Sequence, residues 1–377
     1  MNVLIQSPFD NLPCEGFRKQ RYWLMAEAFV AAGHRVSYFT TDFNHGTKRR
    51  RAASSGMVDG IDVHLVPTPP YSKNVSLRRV FSHAAYARRF ECAASRVASP
   101  DIVISATPTL GAAMAAMRIA RRAGAKFAID IQDAWPETFY RLLPRGFSWL
   151  GNFLLAPMHR AAKRLYREAD MVTGVSERYR MLSGRTDFSV SYHGIEVAGN
   201  AASSERRRPG AIVYAGNLGE GYDLETVIAA VGRDSSLTLD IAGSGPREAM
   251  LRKAASNLVA EGRVSFHGYL SREKLDELLR SSSIGVIPMR DDSWVGLPYK
   301  LCDYLVAGLP VASSLHGECG ALLEREKLGF TYEYGSPASL LDAVRRINES
   351  GIAGTAKLPS SLDASRIYAD YVNRIVS

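Results

Sequence analysis

Strand-length apolar runs alternate with helix-length amphipathic segments along almost the whole chain, a pattern that a parallel sheet wound with helices uses and that few other architectures can. The first such unit is Asn2-Val-Leu-Ile-Gln-Ser-Pro8, a loop from Phe9 to Gly16, and a helix expected over 17–32 with Trp23, Leu24, Ala28 and Phe29 at helical spacing. Gly33-His34 ends that helix, His34 being read as part of the cap, and 35–40 is the second strand. A polar loop, 48–56, leads to a hairpin-like pair (57–59 and 61–67) turned at Asp59-Gly60, where positive φ is easily adopted. A helix over 77–98, a strand over 101–106, a helix up to Ala123 and a strand over 126–131 continue the alternation into Gln132-Asp-Ala-Trp-Pro-Glu137. Strands over 169–176 and 189–194 close this half.

Residues 197–209 are small and charged, without periodicity, and read as a linker. A second series then begins with strand 211–215, the loop Gly216-Asn-Leu-Gly-Glu-Gly221 and a helix from Asp223. Leu237 to Pro246 repeats the strand and glycine loop, with a helix over 247–259, a strand over 264–268 and a helix starting at Ser271. Next comes Ile284 to Ser313: a buried strand to Pro288, a polar loop, Pro298 at a helix start, Gly308 and Pro310 as its stop, and a strand from Val311. Helices over 340–347 and 367–376 complete the chain. At 377 residues two domains are expected, 1–200 and 201–362, with a helix over about 363–377 packing back on the first.

In doubly wound sheets ligands meet the loops that follow the strand C-termini, and helix N-termini there attract anions. This selects Gly16 and Asp133 in the first half and Gly216, Asn217, Gly243, Pro298 and Lys300 in the second, with a phosphate-bearing ligand as the expectation. Gly16 serves equally well as a turn residue, and Asp133 as a helix cap near Pro136.

Charge is unevenly spread. Residues 1–196 hold 27 Lys+Arg against 16 Asp+Glu, whereas 197–377 hold 20 against 22, so the net +9 resides entirely in the first half. No nucleic-acid motif accompanies this excess, so anionic membrane is the expected partner and nucleic acid is not; a solvated basic face is the alternative. Residues 141–167 mix Leu142, Leu143, Phe147, Trp149, Leu150, Phe153, Leu154 and Leu155 with six basic side chains, which suits a helix lying among lipid headgroups or one covering the sheet. The four cysteines show neither disulfide nor metal-ligand spacing, and Met1 to Ser7 lacks the pattern of a signal peptide. No metal or cofactor is expected, and the location expected is the cytoplasm, peripheral at the inner membrane face.

Seven stretches together resemble the family 4 glycosyltransferases of the GT-B fold: Gly33-His-Arg-Val36, Asp133-Ala-Trp-Pro-Glu137, Ala169 to Ser176, Tyr214-Ala-Gly-Asn-Leu218, Ile241 to Pro246, Val264 to Gly268 and Pro298 to Val311. Two of them, Asp133 to Glu137 and Pro298 to Val311, are most similar to the branch that adds sugars to lipid-linked glycans of bacterial surface polysaccharides. The resemblance implies two Rossmann-like α/β domains of doubly wound parallel sheet facing a cleft, the first binding a lipid-linked or saccharide acceptor and the second a UDP- or GDP-linked sugar. It also implies a retaining, metal-independent transfer in which Lys300, the helix start at Pro298 and the Gly216-Asn217 amides face the departing diphosphate, and Asp303 the ribose. This chain departs from the family pattern at two places. Of two acidic residues usually separated by seven positions, the second is Asp303 but the first is Val295; the Arg and Lys usual after the glycine loop are also missing. Asp291 or Asp292 stands near enough in sequence to replace the missing carboxylate, or is a solvated loop charge. A non-catalytic nucleotide-sugar-binding module is therefore the alternative reading. A dinucleotide oxidoreductase is disfavoured, because no Gly-x-Gly-x-x-Gly follows the first strand.

Overall fold

The computed structural model describes residues 1–16, 18–73, 76–142, 148–196, 207–290, 292–352 and 356–377. These divide into two compact units, Met1–Gly194 with Ala364–Ser377, and Ile195–Asp363. Most of the expected linker (197–206), Phe17 at the expected first helix start, Leu143 and Phe147 of the basic segment, and Asp291 lie outside the described residues.

The strands of the first unit are β1 (Asn2–Gln6), β2 (Arg35–Thr41), β3 (Phe43–Asn44), β4 (Arg49–Arg50), β5 (Gly56–Val58), β6 (Ile61–Val66), β7 (Ile102–Ala106), β8 (Lys126–Ile131), β9 (Met171–Gly174) and β10 (Ser189–Val190). β3 and β4 form a small antiparallel pair, and the other eight are ordered β10-β9-β8-β7-β1-β2-β6-β5. Only β5 runs antiparallel in that sheet, joined to β6 through Asp59 (φ 50°) and Gly60 (φ 79°), the two positive φ values of a primed hairpin turn. The helices are α1 (Arg21–Ala31), α2 (Leu77–Ala94), α3 (Leu110–Ala123), α4 (Ser148–Glu168) and α5 (Tyr179–Ser183). Strand order reverses beside β1, so right-handed crossovers send α1 to one face and α2, α3 and α4 to the other. The C-terminal helix, Ala364–Val376, packs on α1 and inserts Tyr368, Tyr371 and Val372 into a core with Trp23, Phe29 and Tyr38.

In the second unit β11 (Ala211–Ala215), β12 (Thr238–Ala242), β13 (Val264–Gly268), β14 (Ile284–Ile287), β15 (Val311–Ser313) and β16 (Gly329–Thr331) form one wholly parallel sheet, ordered β13-β12-β11-β14-β15-β16. Its helices are α6 (Leu224–Arg233), α7 (Glu248–Ala254), α8 (Ser256–Ala260), α9 (Arg272–Ser281), α10 (Tyr299–Val306), α11 (Gly317–Arg325) and α12 (Pro337–Ser350). The single helix expected over 247–259 is two, broken at Ala255, which is fully buried and leaves the helical φ/ψ range (φ −94°, ψ 7°). α10 ends as its sequence requires. Gly308 at φ 70° lets its own N–H reach Leu305 and the Leu309 N–H reach Tyr304, so two terminal carbonyls are satisfied and Leu309 is buried.

Candidate active site

The second unit gathers the larger set of expected residues at the C-terminal edge of its sheet. Gly216 follows β11 and Gly243 follows β12, at φ 146° and 138°, values that side chains rarely adopt. The two loops lock together: the Gly216 N–H donates to Ala242 O at 2.9 Å and the Leu218 N–H to Ser244 O at 3.0 Å. The approach is so close that a Cβ on Gly243 would stand 1.8 Å from Gly216 O, and one on Gly245 2.5 Å from Leu218 O. Backbone is thereby brought to the site where side chains would otherwise fill it. Asn217 is exposed at the rim.

Beneath this loop lies Lys300. Pro298 is the residue before the first turn of α10 (φ −76°, ψ 146°), a position whose N–H no helix uses, and Lys300 projects from that first turn. Its ammonium stands 3.9 Å from the ring centroids of both Tyr214, at the end of β11, and Tyr222, at the end of the glycine loop. The two rings meet edge to face at 5.6 Å, and the Tyr214 hydroxyl donates to Asn217 O at 2.6 Å, tying the cage to the loop. Lys300 is 8% exposed, and its Nζ has no hydrogen-bond partner among the described residues. A Cβ on Gly216 would stand 3.1 Å from that Nζ, so the loop backbone covers the cation closely. Burial pushes the Lys300 pKa well below the ordinary lysine value, and the nearby Asp303 charge, which acts the other way, does not restore it.

Asp303, one turn further along α10, accepts a hydrogen bond from Arg272 of α9 at 2.9 Å, and Arg272 also pairs with Asp276. Val295 is 37% exposed, its N–H donating to Ser293 Oγ. Asp292 is exposed and pairs with Arg290. Tyr214, Tyr222, Gly245 and Arg272 were not among the residues the sequence singles out. The one signal was Tyr222, an aromatic at the end of the glycine loop where the family pattern has basic residues.

Gly16 and Asp133 belong to the first unit. Gly16 (φ 79°) closes a short 3-10 turn, Pro13–Glu15, and α1 starts only at Arg21, so this glycine ends a turn rather than opening the helix. Asp133 is half-buried in the loop after β8, its carbonyl accepting from the Trp135 N–H at 2.8 Å. That loop is anchored from below by Asp130 of β8, which is fully buried and accepts from Arg21 Nε (2.8 Å), Arg21 Nη2 (2.9 Å), Tyr22 OH (2.7 Å), Thr173 Oγ1 (2.6 Å) and Gln132 Nε2 (3.2 Å). Burial alone would raise the Asp130 pKa; the Arg21 charge and these hydrogen bonds outweigh it and hold the value at about 2.

α4 is buried along part of its length and exposed near its start. Ala162, Leu165 and Tyr166 are buried, whereas Trp149, Phe153 and Leu154 near its start are 66%, 76% and 57% exposed, with Arg160, Lys163, Arg164 and Arg167 exposed beyond them. Among the described residues no helix is long and apolar enough to cross a membrane, and no cluster of three or more His, Cys, Asp or Glu is placed to hold a metal.

Residues 20–200 match the family model of the glycosyl transferase 4-like domain, and residues 209–350 that of the glycosyl transferases group 1. No curated protein matches the chain in sequence. Among solved structures, HepE of Anabaena in complex with UDP and glucose is 14% identical, with 100% of this chain and 99% of that one covered and a TM-score of 0.69. Sucrose-phosphate synthase from Thermosynechococcus elongatus is 13% identical (99% and 94% covered, TM-score 0.69), and the lipopolysaccharide outer core galactosyltransferase WaaB in apo form is 16% identical (100% and 99% covered, TM-score 0.63). With both halves matched in order and the two parallel-sheet units described above, the chain belongs to the family 4 glycosyltransferases of the GT-B fold.

Proposed function

We propose that this transferase moves a sugar from a nucleotide-sugar, UDP- or GDP-linked, to a lipid-linked or saccharide acceptor in bacterial surface polysaccharide synthesis, with retention of anomeric configuration. The observation that carries the donor assignment is the buried Lys300 ammonium beneath a glycine loop at a helix start, which has no hydrogen-bond partner among the described residues. An anionic diphosphate is the ligand whose charge complements such a cation. HepE, similar in fold, is solved with UDP and with UDP-glucose, which agrees with a donor of this class.

The difficulty of the reaction is the charge that develops on the departing diphosphate. Lys300, the first-turn amides of α10 and the Gly216-Asn217 amides meet that charge from fixed positions, so stabilisation needs no metal and little reorganisation. Asp303, held by Arg272, is assigned to the ribose. Asp133 is assigned to the acceptor side, where it orients the attacking hydroxyl. The test is incubation with UDP- and GDP-linked sugars and polyprenyl-diphosphate-linked saccharides, following nucleoside diphosphate release and product anomeric configuration. Transfer with retention is expected. Inversion would refute the retaining assignment, and absence of turnover from every donor would refute the transferase reading.

Val295, exposed where a sugar-binding carboxylate is usual, favours a second reading as a nucleotide-sugar-binding module without chemistry. Tight donor binding with no turnover would select it.

We further propose that the enzyme works in the cytoplasm, peripheral at the inner membrane face, held there by the basic first unit and the exposed start of α4. Binding to vesicles containing anionic lipid should weaken as salt rises from about 0.05 to 0.5 M, because screening shortens the reach of surface charge. Sedimentation with vesicles measures this; salt-independent binding would refute the electrostatic attachment.

A further inference from the structure

The glycine loop after β11 is strapped at both ends by one residue of the next crossover. Arg247 follows Pro246 in the loop after β12. Its backbone N–H donates to Leu218 O at 3.0 Å near the start of the glycine loop, and its guanidinium Nη1 donates to Tyr222 O at 3.0 Å at the end. The other guanidinium nitrogens face acids. Nη2 donates to Glu225 on the first turn of α6, and Nε lies 3.6 Å from Glu220.

The guanidinium is thereby committed to acceptors of the protein itself. Glu225 Oε2 is buried with no hydrogen-bond partner among the described residues, so the charge of that carboxylate is balanced through its other oxygen, by Arg247. A cation engaged in this way is not a second diphosphate ligand, and its effect falls on the loop. An arginine suits the task, because its planar fork reaches a carbonyl with one nitrogen and a carboxylate with another, which a lysine ammonium does not do in a fixed geometry.

The peptide group between Tyr222 and Asp223 takes up that effect. Its carbonyl accepts from Arg247, and its N–H donates to Pro288 O at 2.7 Å, so the peptide plane is fixed at both ends. On the other side of Tyr222, Gly221 O accepts from the Arg290 N–H at 3.1 Å. The Tyr222 side chain leaves the backbone at the Cα that begins this plane. Its ring stands 3.9 Å from the Lys300 ammonium and meets the Tyr214 ring edge to face. The orientation of one wall of the lysine cage is therefore set by a guanidinium that does not touch the lysine.

We propose that Arg247 is a positioning residue of the donor site: by gripping the Tyr222 carbonyl and the Glu225 carboxylate together, it holds the Tyr222 ring against Lys300 and fixes the place from which that ammonium meets a diphosphate. The proposal rests on the donor reading above and adds to it a residue that acts through Tyr222.

The test follows Lys300 itself in the full chain. With lysine isotope-labelled at Cε and the Lys300 signal assigned by its loss in Lys300→Met, NMR titration without ligand compares the wild type with Arg247→Met, Arg247→Lys, Tyr222→Ala and Tyr222→Phe. Burial lowers the Lys300 pKa in the wild type, and the charge that opposes it is that of Asp303, not of Arg247. Displacing the Tyr222 ring admits water to the ammonium, so the midpoints of Arg247→Met and Tyr222→Ala should move up towards 10.5, the ordinary value. Arg247→Lys keeps the charge but not the fork and should show part of that shift, whereas Tyr222→Phe keeps the ring and should titrate as the wild type does. The double variant Arg247→Met with Tyr222→Ala should match Tyr222→Ala, because the guanidinium acts through that ring. In turnover, Arg247→Met should lower kcat/KM about 10-fold, since a displaced cation meets the leaving group from the wrong distance. The proposal is overturned if Arg247→Met keeps either the wild-type titration or the wild-type kcat/KM, if Arg247→Lys titrates as the wild type does, or if the double variant shifts beyond Tyr222→Ala. Should Arg247→Met not fold, Arg247→Lys and Tyr222→Ala decide the matter. Because the titration needs no ligand, a wild type that binds neither UDP nor GDP would refute the donor reading while leaving the coupling of Arg247 to Lys300 standing.

Discussion

Replacing Lys300 with methionine should lower kcat/KM by about 10²- to 10³-fold, some 2–4 kcal/mol of transition-state stabilisation, and at the same time raise the stability of the ligand-free protein. The two effects have one cause. The Lys300 ammonium is buried without a hydrogen-bond partner among the described residues, and removing such a group from water costs several kcal/mol. Two tyrosine faces at 3.9 Å return part of this, on the order of 1–2 kcal/mol each, yet burial still dominates and the pKa falls well below the ordinary value. A diphosphate supplies the missing partner, so donor binding should draw in a proton. Calorimetry in buffers of different ionisation enthalpy measures that uptake, and Lys300→Met should abolish it.

The sign of the pH dependence follows from the direction of the shift. A lysine whose folded pKa is depressed destabilises the fold while it must be charged, and this penalty fades as pH rises through the folded pKa towards 10.5, the ordinary value. The stability advantage of Lys300→Met, about 1–3 kcal/mol near neutrality, should therefore shrink in alkali. Chemical denaturation between pH 6 and pH 10 checks it. Equal stability and unaltered turnover would remove Lys300 from the mechanism.

Replacing Arg21 with methionine should destabilise the first unit by about 3–5 kcal/mol, because it leaves the Asp130 carboxylate buried without its counter-charge. Arg21 and Asp130 are 1% and 0% exposed, so water cannot substitute for the lost partner. In the wild type the Asp130 pKa is depressed to about 2, so its contribution is full above the ordinary carboxylate value of 3.8 and lost only as pH falls through about 2. In the variant, burial is opposed only by the hydrogen bonds from Tyr22, Thr173 and Gln132, Asp130 takes up a proton at higher pH, and the stability gap should narrow in acid. Unfolding measured at pH 7 and pH 4 checks both statements. The double variant Arg21→Met with Asp130→Leu should recover much of the loss, since a packed apolar pair avoids the desolvation that the ion pair must offset. A double variant no more stable than the single would show that the hydrogen bonds from Tyr22, Thr173 and Gln132 matter more than the charge.

The alternation of strands and helices, the glycine loops after β11 and β12, and the Pro298-to-Gly308 limits of α10 were all legible in the sequence, because each depends on local periodicity or on the φ/ψ range of one residue. Lys300 in the first turn of that helix was legible for the same reason. Its surroundings were not. Tyr214 ends one strand and Tyr222 follows a loop, and nothing in either stretch says that their rings close on a lysine from another crossover. The break at Ala255, the Arg272–Asp303 pair and the exposed start of α4 were hidden likewise, since each depends on which face of an element finds a neighbour.

By itself, then, the sequence determined the order and kind of the elements, the two-part α/β architecture and the loops from which a ligand site is built. Only the tertiary structure decided that the expected phosphate-facing cation is caged between two tyrosines with its charge disfavoured. The physical reason is that backbone preference and hydrophobic period act within a few residues. The electrostatics of a buried group are set instead by side chains that strand pairing brings together from distant parts of the chain.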